Sequence, residues 1–116
     1  MFEAAEVGHR IARKDYDAAV PALRESLLET QWAVKALGQF PVVIVIGGVD
    51  GAGKGETVNL LNEWMDPRHI RTVAFDTPTP EEAQRPRMWR YWQALPARGR
   101  TAMLFEGWYS EAINAR

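Results

Sequence analysis

The pattern of apolar and polar residues divides the chain into one long helical stretch and three short apolar runs. Between residues 15 and 37, apolar residues recur every three or four positions, which predicts an amphipathic helix. These residues are Val20, Leu23, Leu27, Val34 and Leu37. We expect Asp15 or Asp17 to cap this helix, Pro21 to lie in its first turn, and Gly38 to end it. Its apolar face would pack on a sheet or, alternatively, on a partner.

The three apolar runs predict three β-strands that alternate with helices. Residues 42–46 (VVIVI) are apolar throughout, which indicates a strand buried on both faces and central in a parallel sheet. Residues 71–75 and 101–105 predict the second and third strands. Helices are expected over 53–64 and 88–95. This order is typical of an α/β fold whose functional site lies at the carboxyl ends of parallel strands.

Two further local patterns concern the region between the second and third strands. Thr79 is followed three positions later by Glu82, which predicts a capping box at a helix start. Trp89, Trp92 and Leu95 share one face of the expected helix, and we expect them in the core. A platform on which a base stacks is the alternative for the two tryptophans.

Composition and charge narrow the classes of function. The net charge of −1 gives no general attraction to nucleic acid or to an anionic membrane. The chain has no cysteine, so disulfides and thiolate chemistry are excluded, and a cytoplasmic location is compatible with this. The first residues, MFEAAE, are acidic where a signal peptide would be basic, and no apolar run is long enough to span a bilayer.

A glycine-rich loop follows the first strand. Gly48, Gly53 and Lys54 fit the phosphate-loop spacing G-x-x-x-x-G-K, between a strand and a helix. Glycines allow the backbone N–H groups to face an anion, the helix adds its positive end, and the lysine adds a full charge. The predicted phosphate-binding residues are Gly48, Gly51, Ala52, Gly53, Lys54, Gly55, Glu56 and Thr57.

Two departures from the usual loop concern the metal. Gly55 replaces the Ser or Thr that normally supplies a hydroxyl ligand to Mg²⁺. Asp50 lies inside the loop, where a carboxylate would repel phosphate unless a cation lay between them, so Asp50 is predicted to hold Mg²⁺. For Thr57, capping or packing and metal binding remain alternatives. A dinucleotide-binding loop is excluded because Glu56 stands where the third glycine would be required.

Several other charged residues are candidates for the same site. Asp76 follows the second strand and Glu106 follows the third, where a kinase usually has a metal-binding carboxylate. Glu106 either substitutes for that residue or leaves the metal site impaired. A cluster of arginines would suit a polyanion but could equally form a solvated face: Arg85, Arg87, Arg90, Arg98 and Arg100. His9 and His69 receive no assignment.

Several of these motifs together resemble the polyphosphate kinase 2 family. The loop GVDGAGKG at 48–55 is similar to the family's G-x-D-x-x-G-K-G, and further matches are NEWMDPR at 62–68, PTPEE at 78–82, WRYWQALP at 89–96 and GWYS at 107–110. The N-terminal residues resemble the start of members that carry two fused kinase-like domains. The resemblance implies a P-loop kinase-like parallel sheet with flanking helices. Residues 1–40 would be a helical lead-in and residues 41–116 an incomplete kinase core, with a C-terminal kinase domain elsewhere in the protein.

The resemblance also implies roles for individual residues. Asp50 would be the catalytic and metal-binding aspartate, Lys54 the loop lysine, and Arg90 an arginine of the W-R-x-W-R segment. The family's strand-end D-R-S-W-Y reads F-E-G-W-Y here, with Phe105 in place of the metal-binding aspartate and Glu106 in place of the arginine. Because of these two changes, we expect this part of the protein to be a degenerate domain with weak or absent catalysis.

The implied function is transfer of a phosphoryl group from inorganic polyphosphate to AMP, giving ADP, with Mg²⁺ as cofactor. One alternative is a non-catalytic phosphate-binding or assembly domain of the same enzyme. Another is an ATP-dependent kinase acting on a nucleotide or small molecule. A homo-oligomer is compatible with the sequence.

Overall fold

A computed structural model describes residues 10–49 and 51–110. The lead-in before residue 10 with His9, the loop residue Asp50, and the segment after Ser110 lie outside these ranges. Among the described residues, no helix is both long enough and apolar enough to cross a membrane.

The first element is a long helix, α1, over Arg13–Leu37. Gly38 ends it as predicted, in a left-handed conformation with its N–H bonded to the Val34 carbonyl. The predicted start was wrong: Ala12 occupies the cap position without a side-chain hydrogen bond, and Pro21 lies inside the helix. Two turns precede Pro21, so the missing N–H interrupts an existing helix rather than beginning one.

The apolar face of α1 is only partly buried. Leu23 and Leu37 are exposed, whereas the one buried residue of the helix is Gln31. The Gln31 side-chain amide donates to the Asp66 carbonyl at 2.9 Å, and the Asp66 N–H donates to the Gln31 Oε1 atom at 2.7 Å. A buried polar group is thus satisfied at both ends, which anchors α1 to the segment that follows the loop helix.

Three parallel strands form the sheet: β1 (Val42–Ile46), β2 (Ile70–Ala74) and β3 (Thr101–Phe105). Their order is β1-β3-β2, so β3 is central and β1 lies at the edge of the described sheet. Among these three strands the central position predicted for β1 belongs to β3, and the place of β1 in the sheet of the longer protein stays a prediction. A continuous apolar run indicates that both faces of the sheet are buried at that strand. It does not indicate which strands are its hydrogen-bonded neighbours.

The helices that connect the strands are α2 (Lys54–Trp64), α3 (Pro80–Ala83) and α4 (Trp89–Trp92), with a 3₁₀ turn at Pro67–His69. The capping box of α3 is confirmed: the Glu82 N–H bonds to the Thr79 hydroxyl, and the Glu82 carboxylate accepts from the Thr79 N–H.

The buried face of α4 differs from the prediction. Trp92 and Leu95 are exposed, whereas Tyr91 and Ala94 are buried. Tyr91 lies edge-on between Phe75, at a centroid distance of 4.7 Å, and Trp108, at 5.8 Å. The helix is a single turn, which is too short for an apolar period to choose the correct face.

The core lies between the sheet and these aromatic rings. Ala94, Ala102 and Leu104 form its centre. The partly buried residues packed around that centre are Val43, Val45, Val73, Phe75 and Trp108. This packing fixes the carboxyl ends of β1 and β3 next to each other, with Ile46 opposite Phe105 in the register.

Candidate phosphate-binding site

The loop between β1 and α2 forms one wall of the site. Gly53 adopts φ +95° at the helix cap position, a conformation that favours glycine. No side chain of the described residues caps α2, so its first-turn N–H groups remain available to an anion. A cavity of about 490 Å³ adjoins the loop, and its lining includes Gly51, Gly53, Gly55 and Glu56. Five of the predicted phosphate-binding residues therefore line one cavity, namely Gly51, Gly53, Lys54, Gly55 and Glu56, whereas Gly48, Ala52 and Thr57 do not line it.

Thr57 is not among the residues that line this cavity. Its hydroxyl donates to the Gly53 carbonyl at 2.9 Å, one turn back along the helix. This bond runs back to the preceding turn of the helix and caps no free N–H group, so packing and metal binding stay alternative predictions for Thr57.

Lys54 connects the loop to the end of β3. Its Nζ donates to the Gly48 carbonyl at 2.8 Å and forms an ion pair with the Glu106 Oε1 atom. The side chain is 14% exposed and lies 5.6 Å from the centre of the Phe105 ring. The charge that would meet a phosphate is therefore already held by a carboxylate of the same chain.

Glu106 is fixed by its backbone and by both carboxylate oxygens. Its φ of +62° is unusual for a residue with a side chain, and its N–H donates to the Ile46 carbonyl at 2.7 Å. The Oε2 atom accepts a hydrogen bond from the Ser110 hydroxyl. Hydrogen bonds from Lys54 and then Ser110 lower the pKa of the Glu106 carboxyl below its usual value of 4.5. Glu106 is therefore ionised at neutral pH.

A cleft of about 290 Å³ lies beside this ion pair, at the carboxyl edge of the sheet. Asp76, Arg90 and Glu106 line it, so the structure brings three of the predicted candidates together. The Arg90 Nη2 atom donates to the Asp76 carbonyl at 2.6 Å, and its Nε lies 3.4 Å from the Glu82 carboxylate. Arg90 is thus a nearly buried cation, held in place at the cleft.

The carboxylates around the cleft bear on Mg²⁺. Among the described residues, no group of three His, Cys, Asp or Glu side chains could hold a metal ion. Lys54 and Ser110 engage both oxygens of Glu106, whereas Asp76 lines the cleft without an ion-pair partner in the described chain. Mg²⁺ in phosphoryl-transfer sites is usually held by one or two carboxylates together with substrate phosphates. Asp76 is the described carboxylate that fits this requirement, whereas Asp50 lies outside the described residues.

Two of the other predicted arginines, Arg85 and Arg100, have contacts away from this cleft. Arg85 pairs with Glu81 at 3.6 Å and stacks over Trp89 at 5.1 Å. Arg100 precedes β3 and therefore lies at the opposite, amino edge of the sheet. Sequence analysis missed Ser110, although its place in the GWYS motif was a usable signal.

The architecture agrees with comparisons against known proteins. The family model described as polyphosphate kinase 2 matches residues 10–116. The chain belongs to the polyphosphate kinase 2 family.

Individual relatives and solved structures of this family also match the chain. It is 55% identical to the polyphosphate:AMP phosphotransferase of Pseudomonas aeruginosa and 50% identical to that of Pseudomonas syringae, each over 100% of the chain. The chain spans only 23% of the length of either relative. A crystal structure of a polyphosphate kinase 2 from Pseudomonas aeruginosa matches with a TM-score of 0.90 at 55% identity, over 100% of this chain and 25% of that one. The Arthrobacter aurescens polyphosphate kinase 2 matches with a TM-score of 0.81 at 28% identity, over 90% of this chain and 39% of that one.

Proposed function

We propose that the full-length protein transfers a phosphoryl group from inorganic polyphosphate to AMP, giving ADP. The observation that carries the proposal is Lys54 at the N-terminus of a helix, on the carboxyl edge of a parallel sheet, beside a cleft that contains Arg90. The names of the two Pseudomonas relatives support the choice of donor and acceptor. The proposal includes a second kinase domain elsewhere in the protein and a cytoplasmic location.

In this proposal the described residues act by binding and orientation. Lys54 and the first-turn N–H groups of α2 hold the phosphates of the donor, and Arg90 neutralises charge at the cleft. Phosphoryl transfer requires little covalent work from the protein, so alignment and charge neutralisation supply most of the catalysis. Mg²⁺ held by Asp50 would neutralise charge on the phosphates when bound.

The direct test is a comparison of donors with the purified full-length protein. With Mg²⁺ and AMP, we expect ADP to form from inorganic polyphosphate, measured by chromatography, and to form much more slowly when ATP replaces polyphosphate. Equal use of ATP would favour a nucleotide-dependent kinase. No transfer from either donor would overturn the proposed function.

A second function is favoured by one observation: the loop lysine is already paired with Glu106. In this alternative the described region binds phosphate and packs on an active domain without performing transfer itself. The change of the strand-end residues to Phe105 and Glu106 supports it, because a carboxylate that engages the lysine is not free for a metal.

Lys54→Ala in the full-length protein separates the two functions. If this region performs the transfer, we expect the rate of ADP formation to fall by about 100-fold or more, as for loss of a charge that stabilises the transition state. If it only binds phosphate, we expect the rate to change little while phosphate protection of the loop in hydrogen exchange is lost.

A further inference from the structure

A second group of cations lies at the amino edge of the sheet, away from the loop. A cavity of about 240 Å³ opens there, and its lining includes Arg68, His69, Arg71 and Arg100. β3 begins beside this cavity and ends beside the loop, so about 13 Å of strand separates the two places. The two cavities therefore cannot share one small ligand.

Little negative charge is available to balance these cations. Asp66 is engaged by Arg68, whose Nε and Nη2 atoms donate to its two oxygens at 3.0 and 2.8 Å. Within the described residues, Arg71 and Arg100 have no carboxylate partner, and the same holds for Lys35 next to His69. The cavity thus carries an excess of positive charge in a chain whose net charge is only −1.

The contacts of His69 show that the positive charges of this cavity are not balanced by hydrogen-bond acceptors. Lys35 Nζ lies 2.7 Å from its Nε2, and Arg100 Nη1 lies 3.2 Å from its Nδ1. A neutral imidazole accepts a hydrogen bond at one nitrogen only, so one of these contacts sets a donor against a donor. Burial, and then the charge of Lys35, lower the pKa of His69, which is therefore neutral at pH 7. The Asp66 Oδ2 atom lies 3.7 Å from the His69 Nε2 atom, which is too far for a hydrogen bond, so the cluster lacks an acceptor within hydrogen-bonding distance.

We propose that this cavity binds a multi-phosphate anion, as a site separate from the loop. Arg71 and Arg100 supply the planar guanidinium groups that pair with phosphate oxygens, and the anion would provide the acceptors that the cluster lacks. The concave cavity and the local nature of the charge favour a short phosphate chain over nucleic acid, which would need a longer basic surface. This site goes beyond the proposed function and does not depend on Lys54.

The test uses inorganic tripolyphosphate and hydrogen–deuterium exchange on the full-length protein, because peptides report each site separately. We expect tripolyphosphate to protect peptides that cover residues 66–72 and 95–101. In the double variant Arg71→Gln, Arg100→Gln, the concentration that gives half of this protection should rise about tenfold or more. The matched control is Arg13→Gln, which removes one exposed arginine charge on α1 and should leave protection unchanged. An unchanged thermal midpoint would show that the double variant is folded.

Three results would overturn the inference. One is that tripolyphosphate does not increase the protection of these peptides, whether they exchange freely or are already protected without ligand. Another is equal protection in the double variant. The third is protection by a single-stranded oligonucleotide but not by tripolyphosphate. Lys54→Ala keeps this test apart from the proposed function, since it should weaken protection of the loop peptide at least tenfold while leaving the second site intact.

Discussion

Replacing Glu106 with glutamine should increase the affinity of the loop for phosphate. The wild-type carboxylate pairs with the Lys54 ammonium, and both side chains are largely shielded, at 14% and 22% exposure. A phosphate that reaches Lys54 must share the ammonium group with the Glu106 carboxylate or displace that carboxylate. The negative charge of Glu106 also repels the phosphate. Glutamine keeps the size of the side chain while removing the competing charge.

The size of the effect follows from the ion pair. A hydrogen bond between charged groups contributes about 1.5–3 kcal/mol net. Because part of the pair is solvated and part of the bond survives with glutamine, we take about 2 kcal/mol as the gain. At about 1.4 kcal/mol per factor of ten, this corresponds to about a 30-fold increase in affinity.

The assay is protection of a loop peptide covering residues 47–57 in hydrogen–deuterium exchange, titrated with tripolyphosphate in the full-length protein. Glu63→Gln is the matched control, since it removes an equal charge from the exposed face of α2. The double variant Lys54→Ala, Glu106→Gln should show no gain. A Glu106→Gln loop with unchanged or weaker affinity, with or without Mg²⁺, would refute competition between carboxylate and phosphate.

Three further predictions concern stability, measured as denaturant midpoints. Gly99→Ala should destabilise by about 1–3 kcal/mol, because Gly99 has φ +79° and a Cβ would lie 3.2 Å from the Lys35 carbonyl; an unchanged midpoint would contradict this packing. Gln31→Ala should cost about 1–3 kcal/mol, since it leaves the Asp66 N–H unpaired and removes one of the two donors to the Asp66 carbonyl, which keeps the His69 N–H, whereas Gln84→Ala on an exposed position should cost little. The lowered pKa of Glu106 stabilises the fold at pH values above the usual value of 4.5, and this contribution is lost as the pH falls through the lower folded value, so the wild type should lose its advantage over Glu106→Gln as the pH is taken below 4.5. An advantage that is independent of pH would show that the charge is not its source.

Local chemistry made the strands, the loop and the α3 capping box predictable. The VVIVI run, the spacing of Gly48, Gly53 and Lys54, and the pair Thr79 and Glu82 each act over a few residues. The loop and the capping box are reproduced because their interactions form within the segment itself, and the strands because a run of β-branched apolar residues favours a strand whichever strand it pairs with.

The features that were mispredicted or missed depend on contacts between distant segments. Lys54 and Glu106 are 52 positions apart, and only the alignment of β1 with β3 brings them together. The central place of β3 and the cation cluster around His69 depend on the same long-range packing. A sequence pattern records which residues are apolar or charged, whereas strand order decides which of them meet.

Binding of phosphate by the loop through Lys54 can be measured by comparing wild-type and Lys54→Ala full-length protein. The measured quantity is protection of residues 47–57 by tripolyphosphate in hydrogen–deuterium exchange. We predict clear protection in the wild type and at least a tenfold higher half-protection concentration in Lys54→Ala, because a charge-assisted bond to phosphate is lost. Equal protection in both proteins would contradict the account.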